Sequence, residues 1–406
     1  MAVKGCPFEI PSDPAALRGP PPTRPVDLPD WSWANLSGLK HSHPGHFSPV
    51  NFSADGWSTA IFASQFRRDC RRLLLVEDDM NRSGLGFSGK IWSIALLVAV
   101  RDNRVLLEVP GRRNMSSWCN QEPYSLQCTY EPWTQCPYPA PDIRQFVPGG
   151  RPMATAGYWR REQVVRTSLG RIHRQGKFWF HARSSPFTAA SRLLFRPRAW
   201  VRAIGDCVMR AAGLGRATPF ISLHIRHSVE KDAESMRNRF HMPSLETYHR
   251  LARALSQSVR TQSFFIQTSS AIALSQFSAF ARTHNFNLHF TDNPRSEHDM
   301  WGGWIPSSNL TLQTAIGAVN AHISAHAAVI ASPGSSVWTD FLFHSTRAHR
   351  AVNASNHFLA SILQTRMTVV RCPPSVGRSA WFGVFGPRVH LVKPALMRAG
   401  CQVAKD

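Results

Sequence analysis

The sequence predicts an α/β protein with two Rossmann-like domains, each built on a parallel, doubly wound sheet. Short buried strands alternate with helices at regular intervals between residues 220 and 343, and a further strand–helix–strand unit lies between residues 73 and 109. Repeated βα units of this kind produce parallel sheets with helices on both faces. A Gly- and Pro-containing break at 213–219 separates the two regions.

The individual elements follow from hydrophobic periodicity. In the N-terminal region the pattern predicts a strand at 73–76, a helix at 88–100, a second strand at 104–109 and helical structure at 187–212. In the C-terminal region it predicts strands at 220–226, 263–267, 286–291 and 327–331, and helices at 244–259, 271–282, 310–325 and 335–343. The helix at 244–259 carries Leu245, Tyr248, Leu251 and Leu255 on one face.

The chain is therefore predicted to have four segments. Residues 1–54 form a Pro-rich extended arm, and 55–212 form the N-terminal domain, within which 111–160 form an irregular excursion rich in Cys, Pro and Trp. Residues 213–350 form the C-terminal domain, and 351–406 form a tail that packs back on the domains. Ligands of such folds bind at the carboxyl ends of the strands.

Composition excludes several classes of protein. With 406 residues, of which 43% are hydrophobic, the chain can bury substantial cores, so wholesale disorder is excluded. The longest apolar run, Ile94 to Val100, is far shorter than the ~20 residues of a membrane-spanning helix. The net charge is +22, from 47 Lys plus Arg against 25 Asp plus Glu. The Arg residues are scattered rather than clustered with aromatics, so a nucleic-acid partner is not expected.

Cysteines and glycosylation sequons indicate the secretory pathway. None of the eight Cys forms a Cys-x-x-Cys pair, and three lie in one short stretch that disulfides would brace. Six Asn-x-Ser/Thr sequons occur, more than composition predicts by chance, at Asn35, Asn51, Asn81, Asn114, Asn309 and Asn353. Because the N-terminus has no signal-peptide segment, we expect a truncated or mis-started N-terminus. A cytoplasmic protein with free buried thiols is the alternative.

A glycine-rich motif precedes the first predicted helix. Gly84-Leu-Gly86-Phe-Ser-Gly89 matches the dinucleotide fingerprint, and Glu108 ends the next strand, where a ribose-binding acid would lie. However, seven residues separate this motif from the strand that it should follow directly. The motif therefore has three interpretations: a nicotinamide site, a loop that faces a phosphate or sugar, and a purely structural turn.

Two further motifs follow strands of the C-terminal domain. His224-Ile-Arg226-His227 closes one strand, where Arg226 could bind a pyrophosphate bidentately and His224 could bind a base or ribose. The acidic loop behind it offers Glu230, Asp232 and Glu234 as general bases, or is simply a solvated loop. The second motif is the turn at 332–336, which presents backbone N–H groups to an anion or merely caps a helix.

Taken together, these segments resemble the α1,6-fucosyltransferase family, which includes the rhizobial nodulation fucosyltransferases. The resemblance covers roughly residues 60–345. It is carried by GLGFSGKIWSIALLVAVRDNRVLLEVP, by FISLHIRHSVEKDAE and by AIGAVNAHISAHAAVIASPGSSVWTDF, of which the second is the most specific. It implies a GT-B fold with two facing Rossmann-like domains, the second of which holds GDP-fucose and the first of which lies on the acceptor side. It also implies inverting transfer to an oligosaccharide, without a metal or other cofactor, in the Golgi lumen.

The resemblance also implies roles for individual residues. Arg226 would neutralise the β-phosphate of the leaving GDP, with His227 beside it where many members have a second Arg, and Glu234 would be the catalytic base. The remaining donor-binding residues would be His224, Gly84, Gly86, Asn320, Ser335 and Ser336. Several positions depart from the family pattern: Asn320 stands where members tend to have Asp, Val337 replaces a Gln, and Val229 and Glu230 replace Asp-Lys. These departures motivate a non-catalytic glycan- or nucleotide-binding homologue as an alternative, and the glycine motif motivates a nicotinamide oxidoreductase.

Overall fold

The fold is known from a computed structural model of the 406-residue chain. The structure describes Cys6 and residues 54–67, 70–77, 85–109, 129–131, 133, 134, 136, 164–168, 170, 172, 185–215, 217–227, 242–293, 295, 310–334, 336–352, 367–372 and 380–403. The chain forms two compact units. One comprises residues 11–83 and 88–198, and the other comprises 1–10, 84–87 and 199–406.

The N-terminal unit contains a parallel three-stranded sheet in the order β2-β1-β3. The strands are β1 (Leu73–Glu77), β2 (Val105–Val109) and β3 (Val164–Ser168). The helices are α1 (Ala54–Gln65), α2 (Leu85–Arg101) and α3 (Ser185–Leu194). The predicted strand–helix–strand unit is confirmed as β1-α2-β2. The sequence analysis did not predict β3 or α1.

α2 is buried on all sides. A disulfide and a buried tryptophan attach the excursion to the core of this unit. Every residue of α2 from Ile91 to Val100 is buried, as expected of a helix that is apolar all round. The excursion is attached by the Cys70–Cys136 disulfide and by Trp133, which donates from Nε1 to the Leu106 carbonyl (3.2 Å) and contacts Trp92. The described part of this predicted irregular segment therefore belongs to the domain core.

The C-terminal unit contains a seven-stranded sheet in the order β10-β8-β9-β7-β4-β5-β6. Its strands are β4 (Ile221–His224), β5 (Ser263–Gln267), β6 (Asn287–His289), β7 (Val329–Pro333), β8 (Thr368–Cys372), β9 (Ala380–Phe385) and β10 (Gln402–Val403). Its helices are α4 (Ala199–Ala211), α5 (Leu245–Val259), α6 (Ala271–Thr283), α7 (Leu310–Ala325), α8 (Val337–Val352) and α9 (Val389–Arg398). The division between the units at 198/199, rather than at the predicted 213–219, reflects the packing of α4 against α7.

The second sheet is mixed, which corrects the prediction of a wholly parallel sheet. β4, β5, β6 and β7 are parallel to one another, whereas β9 pairs antiparallel with β7 and β8, and β10 pairs antiparallel with β8. The segment predicted as a tail therefore supplies three strands. β8 and β9 do not show a βα pattern in the sequence, because antiparallel neighbours can follow one another in the chain without a crossover helix.

The helices of the parallel half begin and pack as their sequences predict. Leu245, Tyr248, Leu251 and Leu255 of α5 are all buried, which confirms the predicted apolar face. The Ser244 hydroxyl accepts from the Thr247 N–H at the start of α5, and the Ser270 hydroxyl accepts from the Ala273 N–H at the start of α6. Each Ser satisfies one of the backbone donors that a helix N-terminus leaves unpaired.

All six cysteines within the described residues form disulfides. In addition to Cys70–Cys136, the structure contains Cys6–Cys207, which ties the N-terminal arm to α4, and Cys372–Cys401, which ties β8 to the chain before β10. Such cross-links fit a secreted or lumenal protein. Cys119, Cys128 and the six sequon asparagines lie outside the described residues. Within the described ranges, no helix is both long enough and apolar enough to cross a membrane.

A buried histidine joins α7 to α4. His322 donates from Nε2 to Asp206 Oδ1 (2.9 Å), and its ring lies directly over Gly205, where a Cβ atom would overlap it. Burial lowers the pKa of His322 to about 4, outweighing the opposing effect of Asp206, and the neighbouring His326 and Arg202 act in the same direction as burial. His322 is therefore a neutral core residue near neutral pH.

We expect Gly205→Ala to destabilise the protein. A central helix position gains about 0.5–1 kcal/mol from Gly→Ala by propensity alone, but the added methyl group would collide with the buried His322 ring. Overpacking a core costs about 1–3 kcal/mol, so the steric term should dominate. Urea denaturation measures the difference. Gly215→Ala is the matched control, because a Cβ there meets nothing within 4 Å; equal effects of the two changes would contradict the packing argument.

We expect acidification from pH 7 to 4.5 to lower the free energy of unfolding by about 2–3 kcal/mol through His322 alone. The folded pKa of His322 lies below its unfolded value of 6.5. The unfolded chain therefore binds the proton first, and stability is lost as the pH falls from 6.5 through 4. Denaturation curves at both pH values test this. His322→Gln keeps a nitrogen near Asp206 without titrating. Acidification should therefore lower the free energy of unfolding of this variant by about 2–3 kcal/mol less than that of the wild type. An unchanged pH dependence would contradict the assignment.

Candidate functional site

The candidate site lies at the point where the strand order of the C-terminal sheet reverses. From β4 the chain proceeds outward to β5 and β6, and then returns to place β7 on the other side of β4. At such a switch point the loops after two neighbouring parallel strands diverge and leave a crevice, in which α/β proteins bind ligands. The His224 motif follows β4, and the turn at 332–336 ends β7, so both predicted motifs lie here.

A chain of short hydrogen bonds joins the two strand ends. His224 Nδ1 lies 2.8 Å from the Ser332 hydroxyl, which lies 2.7 Å from the Thr339 hydroxyl at the start of α8. Thr339 Oγ1 donates in turn to the Pro333 carbonyl at 2.5 Å. Ser332 and Thr339 are buried, whereas His224 is partly exposed. The histidine therefore has one ring nitrogen fixed by the protein, and the rest of its ring lies at the crevice.

His224 is electrically neutral at physiological pH. Burial lowers its pKa to about 3, and the positive charge of Arg226 acts in the same direction. The motif thus presents a neutral hydrogen-bonding ring and a cation two residues apart. Such a pair suits a ligand that carries both an anionic group and polar, uncharged groups.

The backbone of Arg226 is clamped by a buried tyrosine. Tyr248 Oη accepts from the Arg226 N–H (3.1 Å) and donates to the Arg226 carbonyl (3.4 Å). Tyr248 itself is held by α5 and by edge-on packing against Phe382 of β9. The backbone of Arg226 is therefore fixed where it leaves the sheet, and the residue is partly exposed.

If the site binds a nucleoside diphosphate, as the sequence resemblance implies, we expect Tyr248→Phe to weaken that binding about five- to tenfold, with a modest loss of stability. The change removes both contacts with the Arg226 backbone, each of which is worth about 1 kcal/mol. Titration calorimetry with GDP measures the affinity. Tyr130→Phe is the control, because this buried Tyr130 hydroxyl has no hydrogen-bond partner in the described part of the chain. Equal effects would show that the Arg226 contacts are not responsible.

The N-terminus of α8 forms the other side of the crevice. The Ser336 N–H bonds to the Pro333 carbonyl within the turn, so it is already satisfied. The first N–H groups of α8 face the end of the helix, where the helix dipole favours an anion. Ser336 is buried, and Ser335 lies outside the described residues. Asp340, in the first turn, opposes this positive field.

A satisfied polar network orients Trp338 beside the site. Gln267 donates to Ser222 Oγ (2.9 Å) and Ser324 Oγ (2.7 Å), and its carbonyl oxygen accepts from Trp338 Nε1 (3.1 Å). The indole therefore has a fixed rotamer, with its ring edge-on to His224 at 6.5 Å between centroids. Because every member of this network has a partner, it stabilises the geometry rather than offering free groups.

Asn320 lies on α7 near the carboxyl end of β6. Its Oδ1 accepts from the Thr291 hydroxyl (3.0 Å), and Thr291 also contacts Asn293. Arg295 closes this cluster by donating to the carbonyls of Thr268 and Thr291. The amide of Asn320 is thus held by a neighbouring loop.

The other predicted site residues have different outcomes. Gly86 is buried in the first turn of α2, and Gly84 lies outside the described residues, as does Glu234. His227 follows Arg226, and its Nδ1 is buried without a hydrogen-bond partner in the described ranges. The structure therefore brings together His224, Arg226 and the turn before α8. The roles of all the predicted site residues stay predictions.

Sequence reasoning missed four residues around the site. Tyr248 and Thr339 lie within helices, where they look like ordinary core residues, and Ser332 was read only as part of a turn. Trp381 of β9 is exposed beside the same turn, where its carbonyl accepts from the Gly334 N–H (2.7 Å). The sequence signal that could have identified Trp381 was an aromatic residue within the segment predicted as a tail.

No known protein-family model matches the chain, and no characterised protein sequence matches it significantly. Among the described residues, no group of three or more His, Cys, Asp or Glu side chains is arranged to hold a metal ion. The predicted independence from metals stays a prediction.

Proposed function

We propose that this protein is an inverting glycosyltransferase that moves fucose from GDP-fucose to an oligosaccharide hydroxyl without a metal. The observation that carries the proposal is the junction of the His224–Arg226 motif with the N-terminus of α8 at the switch point between β4 and β7. A crevice with a cation, a neutral histidine and a helix N-terminus suits a diphosphate joined to sugars and a base. The GT-B class and α1,6 transfer to N-acetylglucosamine are part of the proposal, through the sequence resemblance.

Catalysis in this proposal is mainly charge stabilisation. As the fucosyl carbon acquires oxocarbenium character, negative charge grows on the leaving diphosphate. Arg226 neutralises that charge, the first N–H groups of α8 add to the effect, and Tyr248 keeps the Arg226 backbone in place. Glu234 accepts the proton of the acceptor hydroxyl. His224 is not this base, because a pKa of about 3 makes it a very weak proton acceptor.

The compartment in this proposal is the Golgi lumen. The three disulfides fit folding in an oxidising compartment, and the glycan acceptor of such a transferase is made there. The glycan and the nucleotide sugar are the only partners proposed.

Ligand screening by thermal shift tests the proposal. GDP, GDP-fucose, UDP and NADH are compared at equal concentrations, and we expect GDP and GDP-fucose to stabilise the protein. A ligand at a hundredfold excess over its dissociation constant contributes about 2.7 kcal/mol. Stabilisation by NADH alone would instead support the oxidoreductase suggested by the glycine motif. In the structure, Gly86 and Gly89 of that motif lie inside α2, and residues 78–84 separate the helix from β1.

A second candidate is a non-catalytic glycan- or nucleotide-binding homologue. The observation that favours it is Asn320, whose neutral amide accepts from Thr291 where the resemblance implies a carboxylate. This candidate also predicts stabilisation by GDP, so binding does not separate the two. Mass spectrometry of oligosaccharide acceptors incubated with GDP-fucose separates the two candidates. Transfer of fucose supports the enzyme, whereas binding with neither transfer nor hydrolysis of the donor supports the non-catalytic homologue.

A further inference from the structure

The short contacts between His224 and α8 form a chain of hydrogen bonds, and their lengths determine which atom carries each proton. Thr339 Oγ1 and the Pro333 carbonyl are 2.5 Å apart, and two oxygens approach so closely only with a proton between them. The carbonyl has no proton to give, so the single Thr339 hydroxyl proton is used here. Thr339 must therefore accept at the 2.7 Å contact with Ser332.

The same reasoning fixes the tautomer of His224. Because the Ser332 hydroxyl gives its one proton to Thr339, it can only accept at its 2.8 Å contact with His224 Nδ1. Nδ1 consequently carries the ring proton. In a neutral imidazole the other nitrogen then has a lone pair and no proton. Nε2 has no hydrogen-bond partner among the described residues and belongs to a partly exposed ring at the crevice.

We infer that Ser332 and Thr339 are positioning residues that hold His224 as the Nδ1–H tautomer, so that Nε2 accepts a hydrogen bond from a hydroxyl or N–H group of the bound ligand. Fully ionised phosphate oxygens have no proton to donate, so His224 takes the sugar or base of the ligand and Arg226 takes the phosphates. This division of roles depends on the proposed function for its ligand, but the tautomer does not.

The hydrogen-bond geometry places a proton on Nδ1, and the neutral state of the ring leaves Nε2 without one. Arg226 lies near enough to His224 to oppose a positive charge on the ring. Trp338, whose indole N–H is already taken by Gln267, offers no competing donor. The lone pair of Nε2 is therefore left for a ligand by the described groups on β4, β7 and α8.

Nitrogen-15 NMR of the His224 ring in the unliganded protein is the first test. We expect the wild type to be neutral, with the proton on Nδ1. In Thr339→Val the Ser332 hydroxyl loses its acceptor and turns to donate to Nδ1, so the ring proton should move to Nε2. Thr346→Val is the matched control, since this buried threonine lies on the same helix and its hydroxyl has no partner in the described part of the chain. A wild-type proton on Nε2, or an unchanged tautomer in Thr339→Val, would overturn the inference.

GDP binding is the second test. In Thr339→Val an Nε2–H group would face a ligand donor, so we expect affinity to fall roughly tenfold, the effect of one unmade hydrogen bond. His224→Gln can keep an acceptor near Nε2 and should restore most of the affinity when combined with Thr339→Val. Comparison with 2′,3′-dideoxy-GDP locates the donor: the Thr339→Val penalty disappears if the donor is a ribose hydroxyl and persists if it is a base N–H group.

The two tests separate this inference from the proposed function. If GDP binds and Thr339→Val has no more effect than Thr346→Val, the inference fails and the proposed function stands. If no nucleotide binds, the proposed function fails, and the NMR result alone decides whether the tautomer is held. Should Thr339→Val fold poorly, Ser332→Ala removes the same acceptor from Nδ1 and should likewise release the ring proton from Nδ1.

Discussion

Replacing Arg226 with alanine is expected to reduce fucosyl transfer about 100–1,000-fold, the effect of losing one preorganised charge contact in a transition state. Arg226 follows β4 at the switch point, and Tyr248 fixes its backbone from both the N–H and the carbonyl side. Arg226→Lys should not restore activity, because an ammonium group cannot bind two phosphate oxygens as a planar fork does. Steady-state turnover with GDP-fucose measures both variants.

A matched control separates the role of Arg226 from the general positive charge of the protein. The chain has a net charge of +22, so the loss of one distant cation should hardly change its attraction for an anionic donor. Arg210→Ala removes an exposed cation at the end of α4 and should leave turnover unchanged. The pKa of His224 should also rise in Arg226→Ala, since Arg226 helps to lower it. Near-normal turnover of Arg226→Lys would contradict the bidentate role.

The parallel core of the C-terminal unit could be predicted from sequence because each of its elements has a local signal. β5 was predicted with its observed bounds, since Ser263–Gln267 is a short apolar run bounded by polar residues. α5 was predicted from the spacing of its apolar residues. The predicted bounds of β7 differ from the observed ones by two residues, because the alanine- and valine-rich segment from 327 to 331 has no alternation of apolar and polar residues that would locate the strand.

The antiparallel half could not be predicted in the same way. β9 is joined to the sheet by its pairing with β7, which lies tens of residues earlier in the chain, and β8 is joined through β9. Their pairing depends on that tertiary context, and the Cys372–Cys401 pairing cannot be read from cysteine spacing. β3 was missed for a similar reason, since it reaches β1 only after the long excursion.

In the candidate site, too, residues with a local sequence signal were predicted and residues placed by tertiary contacts were not. His224 and Arg226 were predicted because polar residues directly after a buried strand are exposed at the edge of the sheet. Thr339 was not, because its contact with Ser332 depends on how α8 follows the turn, and a helical threonine has no distinguishing local pattern. Tyr248 was predicted only as a core residue; its hydroxyl reaches Arg226 because α5 packs over the end of β4.

The general base is the part of the proposed transferase mechanism with the largest expected effect. A general base contributes about 100–10,000-fold to turnover. His224 is excluded from this role by its low pKa, and Arg226 by its permanent charge. The acidic segment that follows these two residues in the chain lies outside the described residues and supplies three carboxylates, Glu230, Asp232 and Glu234. Among them, Glu234 keeps the family spacing from His224 that the sequence resemblance implies.

We therefore expect Glu234→Gln to lower turnover by about 100–10,000-fold while changing GDP affinity only a few-fold, because the diphosphate contacts of Arg226 are untouched. Glu230→Gln and Asp232→Asn are the matched controls in the same loop and should do much less, since an acidic side chain beside Lys231 is typical of a solvated pair. Turnover with GDP-fucose and calorimetry with GDP measure the two quantities separately. If Glu230→Gln is inactive and Glu234→Gln active, the base is Glu230 and the alignment of the loop is shifted. If all three variants remain active, the acceptor proton goes instead to a phosphate oxygen of the departing GDP, and the loop has no part in the proton transfer.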